Sequence, residues 1–113
     1  MTRPGRPLIP HVSVGELPPD ITVLDVREDD EWAAGHIEGA VHIPLSEVPG
    51  RLAELPAADQ LVVACRSGAR SAQATAYLQQ IGIAAVNLGG GMQAWSAAGR
   101  PMVSQSGAPP SVI

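Results

Sequence analysis

Leu61-Val62-Val63-Ala64-Cys65-Arg66-Ser67-Gly68-Ala69-Arg70-Ser71 is the stretch from which the fold of this chain is read. A short apolar run, taken from Gln60 to Ala64, has the length and composition of a strand buried on both faces. The only cysteine of the chain follows, and then a polar loop with one glycine between two arginines. From Ala69 to Ile81 the residues favour a helix, with Ala72, Ala76 and Leu78 turned inward and Gly82 as its stop. In an open parallel sheet, ligands bind past the carboxyl ends of the strands, where loops feed into helices. Cys65 falls at such an end.

The alternation of strand and helix extends in both directions. Upstream, Ile21-Thr22-Val23-Leu24-Asp25-Val26 is β-branched and nearly continuous in apolar character, which suits a central parallel strand; Asp25 breaks the run near its end. Glu28 to Gly35 reads as a helix of one to two turns, with acids at the positive end of its dipole and a glycine at the stop. The acidic residues are taken as a solvated helix start. A turn over Gly35 to Ala40 leads to a short strand, Val41-His42-Ile43, closed by Pro44. Ser46 is read as the cap of a helix through about Leu55, with Pro49 tolerated in its first turn. Ser13 and Glu16 match the S-x-x-E capping box of a short helix over 14–17, ended by Pro18-Pro19. Downstream, Ile83 to Leu88 is a further strand, Gly89-Gly90-Gly91 a turn with close backbone approach, and Met92 to Ala98 a last helix. Such alternating units predict an α/β domain with a mostly parallel sheet.

The length of 113 residues suits one domain, over 9–101, preceded by an irregular proline-containing arm at 1–8 and followed by a flexible tail at 102–113. Hydrophobic residues at 45% and charged residues at 16% are a globular composition. No apolar stretch approaches the ~18 residues of a membrane span, and no signal-peptide run follows the N-terminus, so a soluble cytoplasmic protein is expected. One cysteine makes no internal disulfide, which fits a reducing compartment. A formal charge of −4 argues against nucleic acid or an anionic membrane as partner. All seven basic residues are arginine, and two of them, Arg66 and Arg70, flank the cysteine loop. Positive charge there, in an otherwise acidic chain, points to an anion.

A loop of this kind gathers backbone N–H groups around one point, and the helix that opens after it adds the positive end of its dipole. Such surroundings lower a thiol pKa from ~8.5 to between about 3.5 and 7.5, so that Cys65 reads as an activated nucleophile. The competing reading is an inert core cysteine, which would not call for a polar loop between arginines. His11, His36 and His42 lack an acid or cysteine at ligand spacing, so no metal is expected; His36 and His42 are assigned turn and strand hydrogen bonds. Gly89-Gly90-Gly91 departs from G-x-G-x-x-G, and no cofactor is expected. Trp32 and Trp95 are taken as core residues.

Four segments together resemble the rhodanese-like sulfurtransferases, from about Ile9 to Pro101. They are Leu24-Asp25-Val26-Arg27-Glu28, Gly35-His36-Ile37-Glu38-Gly39-Ala40-Val41-His42-Ile43-Pro44, the Cys65 to Ser71 loop, and Leu88-Gly89-Gly90-Gly91-Met92-Gln93-Ala94-Trp95. The resemblance implies a five-stranded, mostly parallel sheet with helices on both faces. It also implies ping-pong sulfur transfer: Cys65 takes the outer sulfur of thiosulfate or of a persulfide donor and passes it to cyanide or a thiol. Arg66, Ser67, Gly68, Ala69 and Arg70 would form the persulfide cradle, with Arg66 pairing the oxyanion end of thiosulfate. Asp25 and Arg27 would support it, Asp25 by bracing Arg70, for which direct substrate contact is the lesser reading, and Arg27 by pairing an acid such as Glu28 or Glu38. The related cysteine phosphatases use Cys-x5-Arg, whereas here the sixth residue after Cys65 is Ser71 and Arg70 is the fifth. A loop one residue shorter favours a sulfur atom over a phosphoryl group. Two other classes stay open: a sulfur-carrier or binding module serving a donor protein or partner enzyme, and a redox-sensing thiol.

Overall fold

The computed structural model describes residues 9–113; the arm expected at 1–8 lies outside them. Five strands, β1 (His11–Val12), β2 (Thr22–Asp25), β3 (Val41–His42), β4 (Leu61–Ala64) and β5 (Ala85–Leu88), form one sheet in the order β1-β5-β4-β2-β3. Every adjacent pair is parallel. The helices are α1 (Asp29–Ala34), α2 (Ala69–Gln80) and α3 (Gly91–Ala97). This is the expected α/β architecture.

Alternation along the strands sorts the core into two layers, because successive side chains leave a strand on opposite faces. Val23, Val62, Ala64 and Val86 join Met92 and Trp95 of α3 on one face. Leu24, Leu61, Val63 and Cys65 join Ala74 and Leu78 of α2 on the other. All four residues of β4 are buried, which is why its sequence shows an unbroken apolar run. Each fully buried Val or Leu contributes about 1.5–3 kcal/mol relative to exposure. The Cys65 side chain thus starts out on the α2 face.

Several local expectations are corrected. Residues 46–55 form two 3₁₀ turns, Leu45–Gly50 and Leu52–Glu54, rather than one helix capped by Ser46. Pro49 lies inside the first and has no N–H to give an α-helical ladder. The inward face of α2 is Ser71, Ala74, Thr75 and Leu78, while Ala72 and Ala76 are only half-buried. The strand β1 has only two residues and no apolar run, and it enters the sheet by pairing with Asn87 and Leu88. The capping box at Ser13 and Glu16 is present, on a 3₁₀ turn over Val14–Glu16.

The segment after Pro101, expected as a loose tail, is laid along the end of α1. Val103 and His36 exchange both backbone hydrogen bonds at 2.9 Å. The N–H groups of Gln105 and Ser111 donate to the carbonyls of Ala33 and Ala34 at 3.1 and 2.9 Å. A helix end leaves its last carbonyls without intrahelical donors, and this segment supplies them. Met102 and Val112 also pack against the α3-side core.

The start of α3 approaches the residues after β4 closely. Gly91 has φ +56, and a Cβ there would lie 2.5 Å from the carbonyl oxygen of Cys65 and 2.7 Å from that of Arg66. Gly91→Ala is expected to destabilise the fold by about 2–4 kcal/mol, through left-handed backbone strain and overpacking together. The measurement is the urea midpoint, and an unchanged midpoint would show that the close approach is not required.

Candidate active site

The chain leaves β2 toward β3 at one edge of the sheet and leaves β4 the opposite way toward β5. Diverging connections open a crevice at the carboxyl ends of two neighbouring strands, here β2 and β4. Cys65 follows β4 directly and is 1% exposed. Gly68, at φ +110, caps α2 in a left-handed conformation that a side chain would strain. Its N–H points back at the Cys65 Sγ, 3.0 Å away. From the first turn of α2, the Ser71 Oγ lies 3.2 Å from the same sulfur.

The outer side of the loop is fixed by α3. The N–H of Met92 donates to the Cys65 carbonyl at 2.8 Å and that of Gln93 to the Arg66 carbonyl at 2.9 Å. These are first-turn donors that a helix cannot satisfy internally. Burial pushes the Cys65 thiol up, but the Ser71 hydroxyl and the backbone N–H groups of Ser71, Gly68 and Ser67 outweigh it and hold the thiol below its ordinary 9.0. An acidic thiol at the focus of N–H donors is a nucleophile that needs no histidine base.

The ion pairs differ from those expected. Asp25 does not brace Arg70. It pairs with Arg27, whose Nη2 and Nε lie 2.7 and 3.0 Å from its carboxylate oxygens, both side chains being buried. Arg27 lies in the bend just past β2, where its backbone N–H also donates to the Asp25 Oδ1 at 3.0 Å and holds the pair together. Arg27 also donates from Nη2 to the Gly35 carbonyl at 2.7 Å, in place of the expected pairing with Glu28 or Glu38. Arg70 instead meets Glu31 of α1 in a two-point pair, Nη1–Oε1 at 2.7 Å and Nη2–Oε2 at 2.8 Å. Arg66 is exposed, and its Nε donates to the Ile113 carbonyl at 2.9 Å. Ser67 in the loop and Ala69 at the start of α2 are exposed.

Sequence reasoning missed Ser71 as a partner of the sulfur and missed Asn87 altogether. Ser71 is fully buried and its Oγ lies 2.5 Å from the Asn87 Oδ1; the Asn87 Nδ2 donates to the Gly68 carbonyl at 3.1 Å. A polar residue inside the otherwise apolar β5 run was the available signal. Glu31 was legible only as part of an acidic helix start.

His36 Nδ1 donates to the Trp32 carbonyl and His42 Nε2 to the Arg27 carbonyl, each at 2.7 Å. Trp95 is a core residue, but Trp32 is half-buried and stacks with the rings of both His36 and His42. Among the described residues no group of three or more His, Cys, Asp or Glu is placed to hold a metal, and no helix is long and apolar enough to cross a membrane. A pocket of 330 Å³ beside Ile21, Ile37 and Trp95 shares no residue with the Cys65 loop.

A family model described as the rhodanese-like domain matches residues 15–98, most of the chain and all of the site. The chain belongs to the rhodanese-like domain family. A protein of Allochromatium vinosum named sulfurtransferase is 44% identical over 89 residues, which are 78% of this chain and 83% of that protein. A crystal structure of a rhodanese-like domain protein from Staphylococcus aureus is similar with a TM-score of 0.71 and 34% identity, over 77% of this chain and 91% of that one. A NAD-dependent persulfide reductase from A. fulgidus is similar at a TM-score of 0.66 and 35% identity, over 77% of this chain and 16% of that one.

Within this rhodanese-like domain, the Arg70 hydrogen bond is the main cause that holds the Glu31 carboxyl down, from an ordinary 4.5 to about 2. A depressed acid adds stability above its unfolded pKa and loses it as pH falls through its folded one. Urea denaturation of the wild type and Glu31→Gln is therefore expected to differ by a constant amount above about pH 5. The difference should shrink toward pH 2, and one independent of pH would remove the assignment.

Proposed function

We propose that this rhodanese-like domain is a sulfurtransferase that carries sulfane sulfur on Cys65, with thiosulfate as donor and cyanide or a thiol as acceptor. The observation that carries the proposal is the placement of the Cys65 sulfur at the focus of inward N–H donors, below its ordinary pKa, with both flanking carbonyls held away by α3. The thiolate attacks the outer sulfur of thiosulfate. A Cys65 S–S bond forms, the S–S bond of thiosulfate breaks, and its electron pair leaves with sulfite. The persulfide keeps one negative charge, which the N–H groups from Arg66 to Arg70 receive. A thiolate or cyanide then attacks the outer sulfur, and the Cys65 thiolate is the leaving group.

The arginines divide the remaining work. Arg70 is held at both terminal nitrogens by Glu31 and braces the loop. Arg66 makes no ion pair with an acidic side chain among the described residues. It is assigned to the sulfonate end of thiosulfate, for which its Nε exchanges the Ile113 carbonyl for an anionic oxygen. With Arg70 at the fifth position after Cys65, the loop suits a sulfur better than a phosphoryl group. A chain with one cysteine that acts as a thiolate is assigned to a reducing compartment, the cytoplasm.

A second reading, a carrier module loaded by a partner enzyme, is favoured by the similarity to part of a persulfide reductase. The test is intact-mass measurement after exposure to thiosulfate. A gain of about 32 Da is expected, reversed by cyanide or dithiothreitol and absent in Cys65→Ser. No gain from thiosulfate, but a gain from a small persulfide donor, would select the carrier reading; turnover retained in Cys65→Ser would overturn both. Arg66→Ala is expected to raise KM for thiosulfate by about tenfold, one charge-assisted hydrogen bond, with KM for a thiol acceptor unchanged.

A further inference from the structure

Ser71 has one hydroxyl hydrogen and two acceptors within reach, the Cys65 sulfur and the Asn87 Oδ1. The Gly68 carbonyl decides which end of the Asn87 amide faces Ser71. A carbonyl only accepts, so the Nδ2 lies against it and the Oδ1 is turned to the serine. With Cys65 as a thiol, every group is then satisfied. The S–H donates to Ser71, the Ser71 O–H donates to Asn87, Asn87 donates to Gly68, and the Gly68 N–H donates to the sulfur.

Ionisation breaks this ring. A thiolate needs a donor, and Ser71 supplies one by turning its hydrogen from Asn87 to the sulfur. The Asn87 Oδ1 then faces a serine lone pair, and Ser71 is fully buried with Asn87 8% exposed, so water does not relieve it. We infer that Asn87 is a positioning residue: by competing for the Ser71 hydrogen, it disfavours negative charge on the Cys65 sulfur and favours its transfer to the outer sulfur of a persulfide. In the persulfide the Cys65 sulfur is a neutral bridge and a weak acceptor. The Ser71 hydrogen then returns to Asn87 while the outer sulfur takes the loop N–H groups. When the outer sulfur departs, the hydrogen turns back and stabilises the leaving thiolate.

The charged groups around the sulfur are Arg70 with its partner Glu31, the buried Asp25–Arg27 pair, and the exposed Arg66. None of them hydrogen-bonds to Ser71 or Asn87. The ionisation part of the inference needs no sulfur chemistry. The loading part rests on the sulfurtransferase reading.

The test is the pH dependence of Cys65 alkylation by iodoacetamide in wild type, Asn87→Leu, Ser71→Ala and the double variant. Freed from its competitor, Ser71 donates fully to the thiolate, so Asn87→Leu is expected to lower the midpoint by roughly 0.5–1 pH unit. In the Ser71→Ala background the same substitution is expected to leave the midpoint unchanged. An equal shift in both backgrounds, or none in either, would overturn the inference, because a merely structural role for Asn87 does not depend on the serine hydroxyl. If Asn87→Leu does not fold, the isosteric Asn87→Asp replaces it. A rise in midpoint that is larger with Ser71 intact than in the Ser71→Ala background is then expected, and an equal rise in the two overturns the inference. Above the midpoint, the thiosulfate-to-sulfite ratio for half-loading should rise about 3- to 10-fold in Asn87→Leu. A shifted alkylation midpoint with no loading in any protein, wild type included, would refute sulfur transfer from thiosulfate and leave the Asn87 assignment standing.

Discussion

The donors at the start of α3 hold the carbonyls of Cys65 and Arg66, and the site depends on that contact. A peptide unit whose carbonyl is fixed outward presents its N–H to the other side, so two hydrogen bonds on the outside of the loop organise donors on the inside. The contact also serves α3, whose first N–H groups have no partner within the helix. It requires backbone to meet backbone, and Gly91 is the residue that permits it. The strand β4, the loop and α3 are therefore one unit, although Cys65 and Gly91 are far apart in the chain.

Of the charged side chains around the sulfur, Arg27 and Arg70 are paired with acids, and Arg66 is exposed without an acidic partner among the described residues. The Asp25–Arg27 pair is fully buried beside the crevice, where losing one partner leaves an uncompensated charge and costs about 3–5 kcal/mol. The Arg70–Glu31 pair is more open and ties the first turn of α2 to α1. Neither pair carries net charge of its own. The acidity of Cys65 accordingly comes from hydrogen-bond donors, Ser71 and the backbone, working against burial. A thiol activated in this way stays in register with the loop, because the groups that lower its pKa also define its position.

Much of this was legible along the chain. The apolar run of β4 and the cysteine after it placed a thiol at a strand end, and glycine at 68 marked the turn into α2. The alternation of strand and helix led to the parallel α/β sheet, and the resemblance to the rhodanese-like family matched the domain found over residues 15–98. The errors lie where a short segment has its structure decided by a distant one. The strand β1 exists because Asn87 and Leu88 offer an edge to pair with, and the segment after Pro101 is ordered by the carbonyls at the end of α1.

The ion pairs and the Ser71–Asn87 contact are of the same kind. By itself the sequence determined the fold class, the position of Cys65 at a strand end and the short loop after it, because these follow from hydrophobic periodicity and from residues adjacent in the chain. Only the tertiary structure decided that Arg70 meets Glu31 rather than Asp25, and that Asn87 reaches Ser71. Partners across a crevice are chosen by which strands and helices lie side by side, and that distance is set by packing, not by spacing along the chain.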